Sequence, residues 1–360
     1  MRYVRKESIA IAISLMVVLT VLVPVASAGD AIPREAKQDG QYVGKPVTDS
    51  VVATEPSRDY RFTALLPHRF EADLQSYAAA LEDEAAELGV TIEISDSGGY
   101  DKPENQTAQF EAAIASETDA IILWPVSVDG LNPLIERANA AGIPVCAGPV
   151  APSSAETTVR LDNDIHSMGV KIAQGVRKAL KGKGNVYLLL GGAGGSYAST
   201  LRQGLEDELA KKKNRNIEIT FEDDFPGFDP ADTQSATENA LVAEPEVDAI
   251  VTTTMLEMTG AIQALRAAGQ DPKDVFLAGG GVQTTGDIDL IKDGTFDLVL
   301  QDSPVRAAQW LTRWCVNQLE GSGEVPTEVI RAPFAAFTPK NVGKVDMEVW
   351  LDPGVLERDL

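Results

Sequence analysis

From residue 60 onward short apolar runs alternate with amphipathic stretches, and this alternation confines the chain to one architectural class. "RFTALL" (61–66), "VTIEIS" (90–95), "DAIILW" (119–124) and "IPVCAG" (143–148) read as buried strands. Between the first two, "ADLQSYAAALEDEAAELG" (72–89) sets Leu74, Tyr77, Leu81, Ala85 and Leu88 on one helical face and stops at Gly89. Further helices are expected at about 104–117 and 130–141. Repeated strand–helix units imply a parallel sheet covered by helices on both faces. Beyond "TTVRLDNDIHSMG" the pattern restarts with a helix to about 180. Strands follow near 185–190, 216–221, 248–253, 275–279 and 297–301, with helices near 196–213, 230–243, 256–268 and 286–292 between them. A helix at about 304–320 and a tail complete the chain. Two such series predict an α/β protein of two Rossmann-like lobes, each a parallel sheet flanked by helices.

The N-terminus bears on location. Arg2, Arg5 and Lys6 precede the apolar run "IAIAISLMVVLTVLV" (9–23), and "PVASA" follows with small residues at Ala26 and Ala28. The run is too short and wrongly flanked to span a membrane, and residues 1–28 fit a cleaved secretory signal. Position 29 is glycine and not cysteine, so no lipid anchor can begin there. The mature chain is expected to start near Gly29 as an exported, soluble monomer without a direct membrane anchor. Residues 29–57 lack periodicity and read as an extended, partly disordered leader.

Charge and composition remove several function classes. The formal net charge is −23, and a signal carrying three basic residues and one acidic residue leaves −25 when it is removed. Such a surface repels nucleic acid and anionic lipid, so neither is an expected partner. An exported chain permits a Cys146–Cys315 bridge. Cys146, however, ends a buried strand and Cys315 sits in an amphipathic helix, and the two read as free buried thiols. With two cysteines and two histidines, His68 and His166, no thiolate or imidazole metal cluster and no cofactor is expected.

In parallel α/β sheets, ligands lie outside the carboxyl ends of the strands. The segment after the strand at 185–190, "GGAGGSY" (191–197), is dense in glycine, but no lysine follows it as a phosphate loop requires. The dinucleotide spacing also fails, because Tyr197 stands where a third glycine is needed. The small residues are therefore read as permitting close approach of a partner backbone or neutral ligand. No G-x-S-x-G elbow is present, and neither His68 nor His166 belongs to a recognisable triad. No catalytic residues are predicted.

Six segments recur in a family-specific order: "LG" (88–89), "DAIIL" (119–123) before Pro125, "AGIPV" (141–145), "GGAGGSYASTLRQGL" (191–205), "AIQALRAAG" (261–269) and "IKDGTF" (291–296). Together they resemble a type I periplasmic binding protein of the ribose/galactose class over about residues 60–340. The resemblance implies a periplasmic protein whose lobes are joined by a three-crossover hinge and close on a small solute. Lobe one would span 58–153 plus 304–332, lobe two 154–303 plus 333–345, and the tail 346–360. The implied role is capture of a small polar, sugar-like solute for the permease of an ABC importer, without catalysis.

The pocket departs from the ribose pattern. Positions matching its polar partners fall on Ser199, Thr254, Asp302 and the neighbourhood of Val282 and Gln283, while Phe228 keeps an expected aromatic. A second resemblance, carried by "LPHRFEADLQSY" and "SDSGGYDKPENQTAQFEAAI", is to the trimethylamine N-oxide-sensing branch of the fold. It implies a sensor partnered with a histidine kinase, with Tyr100 in its pocket and Phe70 the only candidate for its further aromatics; His68, which follows a strand end, could also touch a ligand. Trp124, Tyr100 and Phe228 with Asp73 and Asp302 could then cage a methylated amine.

Overall fold

The computed structural model describes residues 51–344 apart from Gly194, Gly195 and Pro333. The expected signal, residues 29–50 and the tail lie outside the described residues. In lobe one, β1 (Arg61–Leu66), α1 (Ala72–Leu88), β2 (Thr91–Asp96), α2 (Pro103–Ala115), β3 (Ala120–Leu123), α3 (Asn132–Ala140) and β4 (Val145–Ala147) follow in strict alternation. A further strand, β5 (Val159–Asp162), pairs in parallel with β4. Lobe two runs through α4 (Ile165–Ala179), β6 (Lys183–Leu190), α5 (Ser196–Leu209), β7 (Asn216–Asp224), α6 (Pro230–Ala243) and β8 (Ala249–Thr254). It continues through α7 (Met255–Ala267), β9 (Phe276–Gly280), α8 (Thr285–Lys292) and β10 (Leu298–Gln301). The chain returns to lobe one with α9 (Pro304–Glu320) and β11 (Ile330–Arg331), and closes the second sheet with β12 (Ala335–Phe337).

The two six-stranded sheets are ordered β11-β5-β4-β3-β1-β2 and β12-β10-β9-β8-β6-β7, and only β12 runs antiparallel to its neighbour. Strand order reverses between β1 and β3 in the first sheet and between β6 and β8 in the second, which opens a crevice at those strand ends in each lobe. Apolar runs such as Ala120–Leu123, buried at every position, fill the sheet centres. The helices α4 and α5 pack closely, since a Cβ at Gly204 would lie 1.9 Å from the carbonyl oxygen of His166.

Three expectations are corrected. Lobe one does not end at 153: "VRLD" alternates buried and half-buried positions over only four residues, a strand too short to register beside its Ser- and Thr-rich approach. The first two crossovers therefore fall at 163–164 and 302–303, and the third lies between β11 and β12. The end of the leader is not free, because Val51 is buried and Thr54 and Ser57 donate backbone N–H bonds to Asn317 Oδ1 and Glu320 Oε1, each at 2.7 Å. These contacts lay the chain along the last turns of α9. The cysteines are not free thiols either: α9 packs on β4 and brings Cys146 and Cys315 to a Cα–Cα distance of 6.1 Å, joined by a disulfide in the lobe-one core. Sequence spacing carried no trace of that packing.

Candidate ligand-binding cleft

The carboxyl ends of both sheets converge on a single cleft. Segments after β1 supply Glu71, Asp73 and Leu74, the β2 end supplies Tyr100, and Trp124 follows β3 directly. From the other lobe come Gly191, Gly192, Tyr197 and Ala198 after β6, Phe228 after β7, Thr253 and Thr254 at the end of β8, Gly280 and Gly281 at β9, and Asp302 after β10. About 510 Å³ of space free of protein atoms, open solvent included, lies in and around this partly open cleft.

The lobes are in direct contact around this cavity. Ala72 N–H donates to Gln283 Oε1 at 2.9 Å, Gln301 Nε2 donates to Asp73 Oδ1 at 3.1 Å, and Val128 N–H donates to Ser196 Oγ at 3.2 Å. The crossovers are tied to one another as well: Asn163 Nδ2 donates to Asp302, and Arg331 Nη1 donates to Asp164 Oδ1 at 3.0 Å. This is the closed arrangement of a hinged pair.

The glycine turn has a definite steric purpose. A Cβ at Gly191 would lie 2.4 Å from Gly227 O, and one at Gly192 would meet the Phe228 ring at 2.8 Å, in a backbone with φ of +73°. Gly192 and Ala193 also donate backbone N–H bonds to Gly227 O and Phe225 O. The turn therefore clasps the "FPGF" loop and seats Phe228 as a cavity wall.

Electrostatically the cavity is one-sided. Burial pushes the Glu71 carboxyl up to about 8, reinforced by the charges of Glu257 and Asp302. Burial raises Asp73 well above its ordinary value, with Asp302 and Glu71 adding to the effect and the bond from Gln301 opposing it. Asp302 is raised by burial. Behind Thr254, Glu257 completes the capping box of α7, accepting Thr254 N–H at 2.8 Å and the Thr254 hydroxyl at 3.1 Å. Burial pushes it up to about 8 against those bonds. No lysine, arginine or histidine lines the cavity among the described residues.

Of the residues singled out from sequence, Trp124, Tyr100, Phe228, Asp73, Thr254 and Asp302 line the cavity together. Four do not. His68 and Phe70 stack on each other at 3.8 Å and border a second, more open depression with Arg69, Glu82 and Asp96. His68 is buried, which pushes its pKa down to about 4 and keeps it neutral. Ser199 is exposed on α5, its hydroxyl bonded to Ser196 O, whereas Ala198 one position earlier faces the cavity. Gln283 acts as a strut between lobes. His166 pairs with Asp207 at 2.9 Å on the surface. Sequence reasoning missed Glu71 and Tyr197. No spacing rule marks a particular glutamate among 54 acidic residues, and in the sequence Tyr197 reads only as a break in the glycine motif. Among the described residues no cluster of candidate ligands could hold a metal, and no helix is long and apolar enough to cross a membrane.

Two doubly wound lobes closing on a cavity built from both sets of strand ends define a hinged solute-binding protein. The sequence model of the periplasmic binding protein domain matches residues 64–323, and the chain belongs to that family. A Rhizobium meliloti protein that carries the provisional name rhizopine-binding protein is 29% identical over 283 residues, covering 73% of this chain and 85% of its own length. Among solved structures, an ABC transporter solute-binding protein from Bradyrhizobium sp. BTAi1 with bound Bis-Tris superposes with a TM-score of 0.68 at 24% identity, over 84% of this chain and 89% of that one. Another from Actinobacillus succinogenes 130z, with bound D-allose, gives 0.72 at 20% identity, over 79% of this chain and all of that one. The sensor role and the trimethylamine N-oxide resemblance find no support in these matches.

Proposed function

We propose that this protein is an exported, non-enzymatic solute receptor. It captures a small polar, sugar-like organic solute between its lobes and delivers it to the membrane permease of an ABC importer. The observation that carries this reading is the cavity itself, closed and lined by both lobes. A ligand touching both sides stabilises the closed state over the open one, and that difference gives a permease something to recognise. Trp124, Tyr100 and Phe228 offer flat apolar faces to a ring, and Asp73, Glu71 and Asp302 offer hydrogen-bond acceptors to its polar edge. The bound molecules of the solved neighbours, D-allose and Bis-Tris, are small and polyhydroxylated, in keeping with this class. Periplasmic export accords with the apolar N-terminal run and with a disulfide, which persists in oxidising compartments. The test is a thermal-shift screen of the mature protein against pentoses, hexoses, polyols, cyclitols and amino sugars, with ATP and NAD as controls. A true ligand at a hundred times its Kd adds about 2.7 kcal/mol of stability. Stabilisation by nucleotides but by no polyhydroxylated solute would overturn the reading.

A further inference from the structure

The cavity is far more acidic than a neutral sugar requires. Glu71, Asp73 and Asp302 all line it, Glu71 and Asp302 buried at 5% exposure each and Asp73 half-buried. Their partners within the protein are few. Asp73 accepts one bond from Gln301, which also lies 3.4 Å from Asp302 Oδ1, and Asp302 accepts another from Asn163. Glu71 Oε1 is buried with no hydrogen-bond partner among the described residues, and its other oxygen lies 3.6 Å from the Nε2 of a neutral His68. Glu257 behind Thr254 adds another carboxyl beside them. Around these oxygens stand the rings of Tyr100, Trp124, Tyr197 and Phe228.

Resting on the solute-receptor reading above, we propose that the occupant of this cavity is a cation, a hydroxylated primary or secondary amine of the amino-sugar or amino-polyol class. An ammonium group supplies both what the cavity lacks, a positive charge, and what its open acceptors need, N–H donors. Aromatic faces around it strengthen the attraction once water is displaced. A neutral sugar leaves Glu71 and Asp73 holding the protons that burial favours, whereas an ammonium can replace those protons and pair with the carboxylates that result. A quaternary ammonium would satisfy the charge but not the acceptors, because it has no N–H to give. Glu71 is assigned to the ammonium because its Oε1 is the acceptor left without a partner.

Matched pairs test the assignment by titration calorimetry on the mature protein at pH 7.5: D-glucosamine with D-glucose, D-galactosamine with D-galactose, D-mannosamine with D-mannose, and glucamine with sorbitol, with choline alongside. At least one amine is expected to bind tenfold or more tighter than its neutral partner. Glu71→Gln should weaken that amine at least tenfold more than it weakens the neutral partner, with near-ultraviolet circular dichroism confirming the fold. A neutral member binding as tightly as its amine, or only neutral solutes of the wider screen binding, overturns the cation assignment and leaves the receptor reading standing. Choline binding more tightly than every amine overturns the N–H donor assignment. Absence of binding by any solute of the panel or the screen removes both.

Discussion

The side-chain amide of Gln301, at the end of β10, donates to the Asp73 carboxylate in the first turn of α1 at 3.1 Å, and so spans the two lobes. Its nitrogen also lies 3.2 Å from Asp302 O, on the second crossover. One amide thus joins a wall of lobe one, a strand end of lobe two and a hinge strand. Hinge geometry and cavity electrostatics are consequently coupled: what neutralises Asp73 also bears on closure.

Gln283 offers a cleaner handle on closure, since it bridges to Ala72 N–H without lining the cavity. Gln283→Ala is expected to shift the free protein toward the open state, seen as a larger radius of gyration in small-angle scattering. Ligand affinity should fall by about 0.5–1.5 kcal/mol, the usual net worth of one such bond. Unchanged scattering and affinity would mean that closure does not depend on this strut.

Trp124 should report ligand arrival. It is 3% exposed, packs edge-on against Tyr77 at a centroid distance of 5.1 Å and lines the cavity. Trp310 and Trp314 lie in the lobe-one core on α9, away from the lining. A bound solute is expected to change tryptophan emission, and Trp124→Phe to remove most of that change. Trp124→Ala should weaken binding by about 1–3 kcal/mol. A full response in Trp124→Phe would assign the signal to the other three tryptophans.

The pH dependence of stability follows from Glu71. Its pKa is raised in the fold, from an ordinary 4.5 to about 8, first by burial and then by Glu257 and Asp302. The folded protein holds that proton where the unfolded chain has lost it. The resulting stabilisation is complete below about pH 4.5 and is lost as pH rises through 8. Glu71→Gln stays neutral throughout. Without ligand it should melt close to the parent at pH 5 and higher than the parent at pH 9, with a gap of about 2–4 kcal/mol. Parallel melting curves across that range would show that Glu71 is ionised in the cleft.

The disulfide makes a separate prediction. Replacing Cys146 and Cys315 together by alanine should destabilise lobe one by about 2–5 kcal/mol, the usual worth of a native bridge over a long loop. Chemical denaturation of the two proteins measures it. Ligand affinity should change little, because neither cysteine lines the cavity.

Fold and cleft were legible to different depths. Strands such as Ala120–Leu123 announce themselves because every side chain is apolar, and α1 because its apolar residues recur at helical spacing. Once the lobes are read as doubly wound, the end of β3 points to Trp124, while Thr254 and Asp302 come from the resemblance to the ribose-class pocket. Residues one step from the right place were beyond reach. Ser199 and Ala198 differ by a single helical position, yet one is exposed and the other faces the cavity. His68 and Phe70 follow β1 as a cleft residue should, but their mutual stacking draws both toward a different depression. Glu71 could not be told from its many acidic neighbours, because burial in the closed cleft, and not sequence, is what distinguishes it.

The bond between Cys146 and Cys315 spans 169 positions, and nearly the whole of lobe two hangs inside that span, from α4 to β10. Lobe two is therefore a covalent bight, leaving lobe one and returning to it through a knot that does not slip. A protease that nicks any surface loop of lobe two yields two polypeptides but still one molecule. The pieces come apart on a denaturing gel only after reduction, and until then both halves of the binding surface stay anchored to the same core.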